Sequence, residues 1–308
     1  MSAACAAPAL TLFPPDLSGM RTERQPGKLE KRALGKTGEM LSVIGFGGIV
    51  VMDATPAAAA ADVERAINAG VNYFDVAPSY GNAETMLGPA LEPWRKNVFL
   101  ACKTGKRTMN QARNELEQSL PSATEFRPVI SIMRHHNGDC GEEYLPREVP
   151  TSLYQSQGGG DGPFPRFSAH SAEAALAMME RYDFDTILFP FNWTAWYAGN
   201  FGPQVMALAQ EKGMGILALK AMARGPWKQG ADRSGHPKCW YEPLTDPEDI
   251  VMGLRFTLSH PVTAAVPPGD ENLFRLALSL SDKIKPLSAG ELEVIREKAL
   301  KGTPLFSA

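Results

Sequence analysis

A chain of 308 residues with 44% hydrophobic and 21% charged positions has the composition of an ordered globular protein and excludes general disorder. A formal charge of -3 and the lack of a Lys/Arg-rich patch argue against a nucleic-acid partner. The four cysteines (Cys5, Cys102, Cys140, Cys239) are scattered, which speaks against a disulfide framework or a structural zinc site and fits a reducing cytoplasm.

No run reaches the roughly 18 apolar residues of a membrane span. Residues 1–27 lack a basic stretch leading into a clean apolar one, so no signal peptide is expected. Met20 opens a more polar lead-in and is a candidate translation start. The expected organisation is a flexible extension over residues 1–30 and one barrel domain over residues 31–308.

Along the chain, Ala33 to Gly38 reads as a short strand and turn, and Leu41 to Gly48 as an apolar strand entering a glycine-rich loop. Asp62 to Ala69 has helical spacing with Gly70 as its stop, and Val71 to Asp75 is a strand ending in an acid. Glu84 to Leu91 reads as helix, Asn97 to Cys102 as strand, and Asn110 to Leu120 as helix. A weak fourth strand falls at Val129 to Met133 and a fifth ends near Phe167. Further on, helices at Ser171 to Arg181, Gln204 to Glu211 and Ile250 to Leu258 alternate with strands at Thr186 to Phe189, Gly215 to Leu219 and Val262 to Val266. Two helices close the chain, near Leu273 to Leu280 and Gly290 to Leu300. This alternation has enough units for eight strands, and the expected fold class is α/β, a (β/α)8 TIM barrel.

The rhythm breaks between Pro121 and Pro165, an atypical segment running from strand 4 toward helix 5. Gly158 to Pro165 forms neither helix nor strand readily, and Pro146 and Pro150 leave no apolar face. A structureless connection of this length is either a functional lid or an altered segment. Codons for Val129 to Arg134, read two bases out of phase, permit Asp-Leu-Tyr-His-Ala. Compensating frameshifts between about Ser122 and Arg166 are therefore a hypothesis that the gene sequence decides.

Chemistry concentrates in Asn72-Tyr73-Phe74-Asp75-Val76-Ala77-Pro78-Ser79-Tyr80-Gly81, followed by Ala83-Glu84 and, after the next strand, Lys103-Thr104. Acid, phenol and amine would meet at the C-terminal mouth of a barrel, where such folds carry their active sites. With Leu34-Gly35-Lys36-Thr37-Gly38, Gly45-Phe46-Gly47, Glu115 to Leu120, Phe167-Ser168, Gly213 to Leu219 and Val266 to Gly269, this pattern resembles the aldo/keto reductase family over roughly two thirds of the chain.

The resemblance implies that Tyr80 donates a proton to a substrate carbonyl, that Lys103 lowers the phenol's effective pKa, and that Asp75 positions the lysine. The logic is sound in itself, because a phenol near pKa 10 needs a neighbouring cation to work near neutral pH. No metal is required. The family's histidine at the end of the next strand falls on His135 or His136, each of which reads equally as a surface residue.

The resemblance further implies NADP(H) or NAD(H) as cofactor, with Ser168 and His170 at the nicotinamide carboxamide and Asn192 as a polar pocket residue, and Phe191 or Trp193 stacking on the ring. Lys220 is placed near the dinucleotide phosphates, or else is a solvated loop lysine. Gly269 is expected to allow close backbone approach, Asn272 to contact the adenine end, and Arg275 to offset Asp270 and Glu271 near an extra phosphate. Trp196, Tyr197, Trp227 and Trp240 are candidate pocket walls.

The function implied is hydride transfer between the nicotinamide and an aldehyde, ketone or corresponding alcohol, with a small-molecule substrate and no membrane partner. The alternative is a catalytically impaired barrel that keeps only cofactor or ligand binding.

Overall fold

Strands whose residues are buried on both faces need a cover outside and a packed interior within, and a ring of parallel strands wrapped by helices supplies both. The structure, a computed structural model, describes residue 17, residues 19–104 and residues 166–308. It also describes positions 106, 110, 111, 114, 115 and 118 and the backbone of Arg127–Ile132.

An antiparallel sheet of β1 (Thr22–Glu23), β2 (Lys31–Ala33) and β3 (Met40–Ser42) comes first. Because Thr22 pairs with Arg32 and Glu23 with Lys31, the folded domain starts before residue 31, and the expected boundary is corrected accordingly. The hairpin turn passes through Gly35 at φ 55°, where a β-carbon would collide with the Met214–Gly215 backbone. Leu34 and Leu41 leave this hairpin to pack inside the barrel with Tyr73, Phe99, Leu188 and Leu217.

The barrel strands are β4 (Phe46–Gly47), β5 (Tyr73–Val76), β6 (Phe99–Thr104), β7 (Arg127–Ile132), β8 (Arg166–Ala169), β9 (Thr186–Pro190) and β10 (Gly215–Leu219). A short excursion, β11 (Ala223–Gly225) with β12 (Glu242–Pro243), precedes the last barrel strand, β13 (Ala264–Val266). The eight lie side by side in the order β13-β10-β9-β8-β7-β6-β5-β4. The two ends meet at a parallel bridge between Ile44 and Ala265, where Gly45 N donates to Ala265 O and Ala265 N to Val43 O, each at 2.9 Å. The expected single strand from Leu41 to Gly48 is thus two: Met40–Ser42 serves the hairpin and Phe46–Gly47 the barrel.

β7 takes the fourth position despite its unusual sequence. It pairs in parallel with β6 (Ala101 with Arg127) and with β8 (Ile130 with Phe167). The rest of the atypical segment, residues 121–126 and 133–165, lies outside the described residues, and so do His135 and His136.

The helices are α1 (Pro56–Ala69), α2 (Ala83–Leu91), α3 (Ala172–Arg181), α4 (Trp193–Tyr197), α5 (Pro203–Glu211), α6 (Pro247–Leu258), α7 (Glu271–Ser279) and α8 (Ala289–Leu300). Most begin on a capping side chain that accepts an orphan N–H: Thr55, Ser171, Asn192, Asp246, Asp270 and Ser288. The seam is held by Phe46, whose ring meets Phe74 at 5.1 Å and Phe274 of α7 at 4.9 Å. Burying each such ring stabilises the fold by roughly 1.5–3 kcal/mol. No helix among the described residues is long and apolar enough to cross a membrane.

Strand periodicity sets what faces inward. Phe74, Val76, Leu100, Cys102, Phe167, Ala169, Ile187 and Phe189 pack outward with the helices, while Tyr73, Phe99, Ala101 and Leu188 fill the interior. The same parity turns Asp75, Lys103, Ser168 and His170 inward, in the layer nearest the C-terminal ends of the strands.

Candidate active site

Asp75 and Lys103 stand on adjacent strands in a register that pairs Asp75 with Ala101, so the lysine reaches back across one rung to the acid. The two are 2% and 5% exposed. The Lys103 ammonium donates to Asp75 Oδ1 and, at 3.2 Å, to the Tyr80 hydroxyl. The ammonium also lies 5.1 Å from the Tyr80 ring centroid, and Tyr73 donates to Asp75 Oδ2 at 3.4 Å. Tyr80 is half-buried in the loop after β5. Acid, amine and phenol therefore form one hydrogen-bonded chain.

Burial alone would push the Lys103 amine down, but Asp75 and Tyr80 outweigh it and hold the amine above its ordinary value. For Tyr80 burial is the larger influence and raises the phenol above its ordinary value, while the Lys103 charge pulls in the opposite direction. The lysine acts on the phenol with the expected sign. In this resting arrangement, burial is stronger.

The opposite side of the mouth has a different character. Ser168 is buried at the end of β8 and His170 follows it. The Nδ1 of His170 is buried and makes no hydrogen bond. Burial, then the charges of Lys220 and Lys103, bring this imidazole down to about 3, so it is neutral at working pH. After β9, Asn192 uses Oδ1 to accept from Ala195 N at 2.9 Å, capping α4, while its buried Nδ2 has no partner. These orphaned polar atoms fit a nicotinamide carboxamide, which offers both a donor and an acceptor.

Lys220 follows β10 and carries a left-handed φ of 66°. Its ammonium lies 4.7 Å from the Tyr241 ring centroid and 5.1 Å from that of Trp240.

The adenosine-side expectations fare differently. Gly269 does allow a close approach, but the neighbour is Ile49, with which a β-carbon would collide. Asn272 is exposed. Arg275 forms a two-pronged pair with Asp62, at 2.8 and 3.0 Å, so its charge is already engaged.

Among the aromatic candidates, Phe191 packs with Phe189 at 5.3 Å, and Trp193 lies under the Lys298 ammonium of α8 at 5.6 Å. Trp196 and Tyr197 pack on Phe256 of α6. Of the proposed walls, Trp240 stands beside Lys220, and Trp227 donates to Cys239 O at 2.9 Å.

Contacts that sequence reasoning missed come from the loop between β11 and β12. His236 Nδ1 meets Asp270 Oδ2 at 2.8 Å, and Lys238 donates to Val50 O at 3.1 Å and Glu271 Oε2 at 3.2 Å. No periodic signal links positions so far apart. Among the described residues, no three His, Cys, Asp or Glu side chains converge as a metal site would require.

Fold and site together define a (β/α)8 barrel with an acid–amine–phenol chain at its mouth. The aldo/keto reductase family model matches residues 43–127, the stretch holding Asp75, Tyr80 and Lys103. The L-galactose dehydrogenase of Arabidopsis thaliana is 25% identical over 226 residues, covering 68% of this chain and 70% of that protein. The pyridoxal 4-dehydrogenase of Microbacterium luteolum is 33% identical over 115 residues, 35% of this chain and 32% of that one.

Two solved structures share the fold. A putative aldo-keto reductase from Pseudomonas aeruginosa has a TM-score of 0.61 at 20% identity, covering 83% of this chain and 95% of that one. The holo form of an aldo-keto reductase from Bacillus halodurans has a TM-score of 0.63 at 17% identity, covering 89% and 97%. The chain is a relative of the aldo/keto reductases, as its motifs imply.

Proposed function

We propose that this protein is a nicotinamide-dependent carbonyl reductase that interconverts an aldehyde or ketone and its alcohol with NADP(H) or NAD(H). The observation that carries the reading is the single chain in which Lys103 donates to both Asp75 and Tyr80. When bound, a reduced nicotinamide would be the source of the hydride that the carbonyl carbon takes up. Tyr80 gives its proton to the carbonyl oxygen, and the phenolate left behind is stabilised by the Lys103 ammonium at 3.2 Å. Asp75 keeps that ammonium charged and aimed, and the phenol recovers its proton from solvent.

The proposed carboxamide contacts are Ser168, His170 and Asn192. The orphaned atoms of His170 and Asn192 would be satisfied by that group. Gly269, Asn272 and Arg275 belong to the proposed adenosine end; for Arg275 to take part, it must exchange its Asp62 pair for a phosphate. His135 or His136 is proposed as the fourth member of the site.

The test is a titration of NADPH and NADH followed by turnover against a panel of carbonyl compounds. Cofactor oxidation that depends on Tyr80 is the expected result. Tight cofactor binding without turnover of any carbonyl would favour the impaired barrel instead, and robust turnover by Tyr80→Phe would remove Tyr80 from its role.

A further inference from the structure

Strict strand alternation would send Lys220 outward with Ile216 and Ala218, which pack against the helices. It does not go there. The left-handed φ of 66° at Lys220 breaks the alternation, a conformation that carries a steric cost for any residue with a β-carbon. The turn that follows is fixed by Ala223 N donating to Lys220 O at 2.9 Å.

The re-aimed ammonium lies over two aromatic faces, Tyr241 at 4.7 Å and Trp240 at 5.1 Å. Among the described residues it has no hydrogen-bond partner and no carboxylate in ion-pair contact. The other cations of the region are matched: Lys103 by Asp75, Lys238 by Glu271 and Arg275 by Asp62. Lys220 is also close enough to the mouth that its charge disfavours protonation of His170, and Lys103 in turn disfavours protonation of Lys220.

The inventory of charge at the mouth is therefore uneven. Among the described residues the Asp75 carboxylate and Lys103 ammonium cancel, His170 is neutral and Tyr80 is a neutral phenol, which leaves the Lys220 cation uncompensated. A cation oriented by aromatic faces and lacking a protein anion is completed by an anion on a ligand.

We infer that Lys220 is a substrate-specificity residue, and that the carbonyl compounds this site prefers carry a carboxylate or comparable anionic group that pairs with its ammonium. This deepens the reductase reading and rests on it. It also moves Lys220 from the cofactor phosphates to the substrate. Trp240, 50% exposed, and Tyr241 frame the place where such a group would bind, which favours an aromatic or otherwise flat acid.

The test compares 4-carboxybenzaldehyde with 4-methylbenzaldehyde, near-equal in shape and different in charge, using the full-length chain with and without NADP+. Calorimetric titration is expected to show binding of the carboxylate tighter by about tenfold or more, the margin of one charged hydrogen bond. Lys220→Met is expected to bring the two affinities together, and Lys220→Arg to keep them apart. With turnover, the same ratio is expected in kcat/KM, expressed chiefly in KM.

Equal binding of the two compounds by the unaltered chain would overturn the inference, whatever the variants do. So would a Lys220→Met chain that keeps its preference for the carboxylate, or one that loses NADPH affinity while keeping that preference. Absence of turnover with every carbonyl would defeat the reductase reading alone, because the calorimetric comparison stands without it.

Discussion

The two sides of the barrel mouth differ in how their polar atoms are satisfied. On the side of β5 and β6, Tyr73, Asp75, Lys103 and Tyr80 pair with one another in an unbroken chain of hydrogen bonds. On the side of β8 to β10, among the described residues, His170 Nδ1 and Asn192 Nδ2 are buried without partners and Lys220 lies against aromatic faces. A self-paired group is held in position by the protein before anything binds, as proton transfer requires. An orphaned group is completed by what binds. On the proposed reading, chemistry and recognition are thus divided between the two halves of the ring.

Breaking the self-paired side should have the largest effect. Tyr80→Phe removes the proposed proton donor while leaving the ion pair intact, and kcat is expected to fall by about 10²- to 10⁴-fold. Thermal melting should place the variant near the unaltered chain. Lys103→Met leaves Asp75 buried without its cation and should destabilise the fold by about 3–5 kcal/mol, read from denaturant unfolding.

On the orphaned side the losses should be smaller and should appear in binding. Asn192→Ala removes the α4 cap, at a cost of about 1 kcal/mol in stability. It should also weaken nicotinamide binding by about tenfold, measured by fluorescence titration. A uniform loss of kcat with unchanged cofactor affinity would contradict the division between the two sides.

The finest test is pH. Burial, then the Lys103 charge, bring the Lys220 amine down to about 8. Above that value the amine is neutral, so preference for a carboxylate over its neutral isostere should decline by roughly tenfold per pH unit. The groups around it do not titrate there: Lys103 is held above its ordinary value, His170 is neutral above about 3, burial keeps Tyr241 a phenol, and burial pushes Cys239 up to about 12. In Lys220→Arg the preference should persist to higher pH.

Much of the barrel was legible from local pattern. Gly215–Leu219 was read with its observed bounds, and Ala83–Leu91 and Phe99–Thr104 fell within one or two residues of their expected ranges. The first barrel strand was not, because Leu41 to Gly48 is one apolar run that the fold divides between two sheets. At Gly269 the Ile49 neighbour is not legible in the sequence, since that contact joins distant parts of the chain.

What the sequence determined by itself was the alternation of strand and helix and, through two-residue periodicity, the inward placement of Asp75 beside Lys103. These follow from local rules, in which each residue's face is set by its neighbours in the same strand. Tertiary structure alone decided that Ile44 and Ala265 bridge the first and last barrel strands, that His236 and Lys238 reach Asp270 and Glu271, and that Lys220 turns toward the mouth. Those outcomes depend on which distant elements come to lie side by side, and on a backbone angle that lysine does not prefer. For Lys220, the same spacing that put Lys103 inside would have put it outside.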